Sequence, residues 1–150
     1  MKFVTTSYNR AVALVSNSWM DQVTLIMVRV SLAGIFWRSG RTKVAEGSWL
    51  LVSDTAKFLF QEEYKAVPLP PEFAAYMATY AEHLFPILII LGLFTRLSAL
   101  ALLGMTMVIQ IFVYPEAWWS VHIIWVSLAL VLIVRGAGRF SIDTLLVKKT

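Results

Sequence analysis

Glu82 and His83 stand in the middle of an apolar stretch running from Phe73 to Phe94, and Arg29 stands inside another. A carboxylate or guanidinium surrounded by hydrocarbon is costly unless it is paired, hydrated or in use. A carboxylate and an imidazole can carry protons, and a guanidinium supplies a fixed counter-charge. At about 1.5 Å per residue, Arg29 lies roughly 13 Å and Glu82 roughly 15 Å below the outer ends of their stretches. The two are level, so an Arg29–Glu82 ion pair is expected. Two uses are open: a pair that only fixes helix register, and a pair that also binds a ligand or relays protons.

Tyr76, Thr79, Tyr80 and His83 recur at helical spacing and make one polar-aromatic stripe, which suits a cavity wall or a helix contact better than a lipid-facing surface. Pro86 removes a backbone donor from the same helix, leaving the Glu82 carbonyl in need of another partner. A second layer comes from His122 and Gln110, each about 6 Å inside the outer end of its own stretch. Trp118, His122 and Trp125 share a helix face. His122 reads either as part of a shallow site with Trp118 and Gln110 or as a histidine bonded to a neighbour near the headgroups.

Other chemistries fit poorly. His83 and His122 differ in depth by roughly 10 Å, which argues against axial ligation of one haem iron. Met105 and Met107 fall on nearly opposite helix faces, a poor copper site. The chain has no cysteine, which removes disulfides, iron–sulfur ligation and covalent haem attachment. No Gly-rich phosphate loop, Ser/His/Asp order or clustered carboxylate metal site is present, so no metal is expected.

These residues must be held by membrane helices. Of 150 residues, 59% are hydrophobic and 15% charged, against roughly 45–50% and about 25% in soluble domains. The pattern predicts an all-α integral membrane four-helix bundle in one domain, 1–150, with spans at about 22–37, 73–94, 97–114 and 118–134. The competing reading is a very apolar soluble bundle. Segment 3–19 carries Tyr8, Ala11, Val12, Val15 and Trp19 at helical spacing and reads as an interfacial helix. Segment 53–64, opened by Ser53, reads as a short helix lidding the outer mouth or as a loop resting on lipid. No cleavable signal is apparent in the first twenty residues.

Charge sets the orientation. The side of the termini and of the turn at Thr95–Arg96 holds seven basic residues against two acidic; the other side holds five against six. The positive-inside rule then places both termini in the cytoplasm. The net charge of +4 reads as lipid anchoring, and no nucleic-acid partner is expected. Small residues Ser98, Ala101 and Gly104 permit close helix packing, including a homo-oligomer.

Gly34-x-Phe36-x-x-x-Gly40-x-x-Lys43, then Ala81-Glu82, then Leu91-Gly92-Leu93-Phe94-Thr95-Arg96, and the tail Gly136-Ala137-Gly138-Arg139-Phe140-Ser141-Ile142-Asp143 resemble the DoxX family of small four-span membrane proteins. The likeness covers roughly residues 25–146. It implies a bacterial inner-membrane bundle and an association with quinone-linked redox systems, since DoxD-type relatives are subunits of thiosulfate:quinone oxidoreductase. Carried over by position, the matching polar residues are Arg29, Glu82, Lys43 and Arg96. His83, Trp118 and His122 fall outside those motifs.

The resulting expectation is a quinone- or lipophile-binding subunit that works beside a soluble or membrane redox partner. Arg29, His83, Tyr76 and Tyr80 are the donors to a quinone head and Glu82 the proton shuttle, with Lys43, Gln110, Trp118 and His122 as further candidate contacts. The alternative from another class is a membrane anchor or assembly scaffold with no chemistry of its own.

Overall fold

The computed structural model describes residue 12 and residues 17–147. The expected interfacial helix at 3–19 lies outside the described residues except for positions 12 and 17–19. Among the described residues, four helices are long and apolar enough to cross a membrane.

Helix α1, Ser18–Thr42, opens on Asn17, whose side chain accepts the Met20 N–H at 2.9 Å. It continues past Trp37 to Thr42, although the apolar run stops earlier. Gly40 lies in this extension, and a Cβ there would lie 2.9 Å from His83 Cε1 and 3.1 Å from Glu82 Cβ. The glycine therefore marks where two backbones cross too closely for a side chain.

The chain then turns back in a small hairpin with one antiparallel bridge, Val44 to Val52. Helix α2, Asp54–Glu62, follows, with Ser53 Oγ accepting the Ala56 N–H at 3.1 Å. Val52, Ala56 and Phe60 bury against Ala74 and Ala75 of helix α3, Pro71–Leu91. Proline at the first helical position suits the start of α3, where an N–H is orphaned anyway. Gly92, at φ 64°, ends the helix in the left-handed conformation, so Phe94 belongs to the following turn rather than to the span.

Helix α4, Thr95–Phe112, runs back across the bundle. A 3₁₀ turn at Pro115–Ala117 and a π turn at Trp118–His122 lead into helix α5, Ile123–Arg135. After Gly136 and Gly138, both at positive φ, the short helix α6, Ile142–Val147, closes the described chain. Asp143 accepts the N–H groups of Phe94 and Thr95 at 2.7 and 3.0 Å, which satisfies the start of α4.

The spans pack in a closed square, α1 on α3, α3 on α4, α4 on α5 and α5 on α1. Leu32, Phe36, Ile89, Leu102 and Leu132 fill the centre, with Ala33, Ala99 and Ala129 letting the backbones approach. Met27, Leu84, Leu97, Leu100, Ile111, Ile124 and Val134 face outward and exposed. An apolar core inside an apolar exterior matches a bundle solvated by lipid.

Candidate functional site

The expected Arg29–Glu82 pair does not form. Arg29 is buried, and its guanidinium donates to four carbonyls: Ile89 at 2.8 Å, Ala137 at 3.2 Å, Phe140 at 2.7 Å, and Ile90. Ile89 and Ile90 belong to the last turn of α3, where carbonyls lack the usual i+4 N–H partner, and the Ile89 oxygen also accepts the Gly92 N–H at 3.1 Å. Arg29 thus clamps α1 to the end of α3 and to the tail, and the fork of five N–H donors suits that task.

Arg29 and Glu82 are not level, because the two spans do not begin at one plane. Glu82 and His83 are level with Gly40, and Arg29 is eleven positions along α1 from Gly40, roughly 16 Å. The first turns of α3 stand roughly 13 Å above the end of α1. They are covered there by α2 and the hairpin.

Glu82 pairs with Lys43, which sits at the C-terminal cap of α1. Lys43 Nζ donates to Glu82 Oε2 at 2.7 Å and to Ser39 Oγ at 2.9 Å; the side chains are 8% and 2% exposed. Lys43 was singled out by family position and not by periodicity, because it lies beyond the apolar run. Only a helix that continues through Gly40 brings it to Glu82.

Both members of the pair line a cavity of about 360 Å³ between α3 and α4, under the lid. The other walls are apolar: Phe60, Val67, Met77, Phe85, Met105 and Ile109 among them. Ala78, Ala81 and Gly104 also line it, and a Cβ built on Gly104 meets nothing within 4 Å. The volume falls within the roughly 300–1,000 Å³ of small-molecule pockets, and a few polar groups in an apolar wall is their usual make-up.

Tyr64 lines the same cavity and was missed from sequence, since it lies in the loop after α2 with no periodic signal. Its ring stacks on Phe60 at 4.3 Å and meets Tyr114 edge-on at 6.5 Å. Burial, and next the neighbouring Tyr114, push its phenol well above the ordinary tyrosine range. Tyr114 in turn donates to Glu63, and that bond is the chief reason its own phenol is raised. This contact ties the lid to the end of α4.

The remaining candidates lie elsewhere. His83 points its Nδ1 at the Thr79 carbonyl, 2.7 Å away, and its ring packs on Trp37 at 5.1 Å. A carbonyl only accepts, so Nδ1 carries the proton; buried Nε2 has no partner among the described residues. Tyr76 and Tyr80 lean on each other at 6.1 Å, with the Lys57 ammonium over Tyr76 at 5.7 Å and Tyr80 exposed. Neither tyrosine lines the cavity.

His122 and Gln110 do meet: His122 Nδ1 lies 2.7 Å from Gln110 Oε1, and Gln110 Nε2 donates to the Pro115 carbonyl at 2.8 Å. With Trp125 edge-on to His122 at 5.2 Å, this layer fastens α4 to α5. Half-buried Trp118 opens the π turn beside it. The layer is separate from the residues around Lys43 and Glu82.

Compared with known proteins, residues 24–115 match the DoxX family model. A Haemophilus influenzae protein described as "Uncharacterized protein" is 32% identical over 142 residues, covering 84% of this chain and 85% of the relative. No solved structure matches.

Proposed function

This chain belongs to the DoxX family of membrane proteins, and on that footing we propose that it binds a quinone or similar lipophile as a subunit of a quinone-linked redox system. The observation that supports this reading is the Lys43–Glu82 pair set in the wall of the apolar cavity between α3 and α4. A quinone, when bound, supplies two-electron, two-proton carrier chemistry.

The residues present fit such a guest. Lys43 Nζ is a charged donor for a ring carbonyl oxygen, and Glu82 beside it can hold and release a proton. The apolar walls and the lid of Phe60 and Tyr64 suit a ring and exclude water. Ala78, Ala81 and Gly104 leave a low sill through which a lipophile enters from lipid. Arg29 has no place in this chemistry, since its donors are engaged by carbonyls. Without cysteine, or a cofactor motif of its own, the chain takes its electrons from a partner protein. The excess of basic residues on the side of the termini supports a bacterial inner-membrane location with both ends cytoplasmic.

The test is mass spectrometry of what co-purifies in mild detergent with the wild type, Glu82→Gln and Gly104→Leu. Gly104→Leu fills the cavity without touching the ion pair. Quinone retained by the wild type and lost from both variants supports the reading. A folded wild type that carries only bulk phospholipid refutes it and favours a membrane anchor without chemistry.

A further inference from the structure

The opposite end of the bundle carries a second concavity, about 760 Å³, between the first turns of α1, the start of α4 and the tail after α5. Five charged residues line it: Asp21, Arg96, Arg135, Arg139 and Asp143. Both carboxylates are already committed. Asp21 pairs with Arg135 at 2.5 Å, and each oxygen of Asp143 accepts a backbone N–H at the start of α4. That leaves two cations. Among the described residues, Arg96 reaches only the Val134 carbonyl, at 3.3 Å, and the Arg139 side chain has no partner, its backbone N–H bonding Gln22.

A third group points to a ligand. Thr95 also lines the cleft, is fully buried, and its Oγ1 has no hydrogen-bond partner among the described residues. Two guanidinium groups with unused donors and a spare hydroxyl match the acceptor oxygens of a phosphodiester. The rim decides which phosphodiester. Phe94, Leu97, Leu146 and Val147 line the same cleft with their side chains exposed. Such groups beside arginines suit acyl chains meeting headgroups, at the end of a membrane bundle where basic residues attract anionic lipid.

We infer that this cleft is a binding site for the headgroup of an anionic phospholipid, held by Arg96 and Arg139 with Thr95 as a further donor. The site is independent of the quinone reading and shares no residue with the cavity at Glu82.

The experiment uses full-length protein, delipidated in non-ionic detergent and titrated under native mass spectrometry with short-chain phosphatidylglycerol, short-chain phosphatidylcholine or inorganic phosphate. Phosphatidylglycerol is expected to bind in preference to phosphatidylcholine. Arg96→Gln and Arg139→Gln should each weaken it about fivefold and the double variant about thirtyfold. Arg38→Gln, exposed at the other end of α1, should leave it unchanged. Equal binding of the two lipids, or a folded double variant that matches wild type, overturns the proposal. Inorganic phosphate that displaces the lipid at equal concentration overturns the lipid assignment. Should the double variant lose its helical circular dichroism, Arg139→Gln alone decides.

Discussion

A double-mutant cycle separates the ion pair that forms from the one that sequence reasoning expected. Lys43 and Glu82 meet at 2.7 Å with both side chains nearly inaccessible. Removing one partner leaves the other charge buried, which typically costs about 3–5 kcal/mol. Lys43→Met leaves a carboxylate without its ammonium; Glu82→Leu leaves an ammonium held only by Ser39. Lys43→Met with Glu82→Leu removes both charges and should cost far less than the two single changes summed, giving a coupling of about 3 kcal/mol or more, at or above the upper range for residues in contact. Arg29 lies roughly 16 Å along the bundle from the level of Glu82. Its coupling to Glu82, from Arg29→Leu and Glu82→Gln, should stay within about 0.5 kcal/mol. Equilibrium unfolding in mixed micelles, followed by helical circular dichroism, reads each free energy. A Lys43–Glu82 coupling near zero, or an Arg29–Glu82 coupling above it, would refute the geometry.

Three further outcomes follow from named contacts. Gly40→Ala must push a Cβ against His83 and Glu82 and should destabilise by about 1–3 kcal/mol, whereas Gly34→Ala, which meets nothing within 4 Å, should be neutral or stabilise by up to about 1 kcal/mol; the same unfolding assay compares them. Arg29→Lys should not rescue Arg29→Leu, because a compact ammonium cannot span carbonyls of α3 and the tail together; faster amide exchange over residues 137–143 in both variants is the expected readout. The phenols of Tyr64 and Tyr114 are raised, so the fold favours their neutral forms. Their contribution is full below the ordinary tyrosine value of about 10 and is lost as pH rises through the higher folded values. Ultraviolet titration of the phenolates in Tyr64→Phe and Tyr114→Phe should show both transitions above that value, and ordinary titration of Tyr64 would contradict its burial under the lid.

The spans were legible because a run of apolar residues is nearly sufficient to specify a membrane helix, and the order of the turns then fixes antiparallel neighbours. The His122–Gln110 contact was legible for the same reason, since both residues sit one turn from a shared tight connection. Glu82 was legible as a residue needing a partner, but its partner was not. Lys43 and Arg29 both qualify by charge, and the choice turns on how far α3 rises above the end of α1. That offset is set by the hairpin and α2 folding onto Ala74 and Ala75, a tertiary contact without periodic signature. Gly40 was the one available clue, as a small residue in a helix three positions before a lysine. Tyr64 was hidden in a loop, where composition says nothing of which way a ring turns.

The most direct test of the central proposal is photolabelling with an azido-quinone in native membranes, followed by peptide mapping. Labelling should concentrate on residues that line the cavity, such as Met77, Phe85 and Met105, and should fall away in Gly104→Leu. Label scattered over the lipid-facing helices, or gathered in the groove of Gly34, Trp37 and Pro86 between α1 and α3, would contradict a site at Lys43 and Glu82.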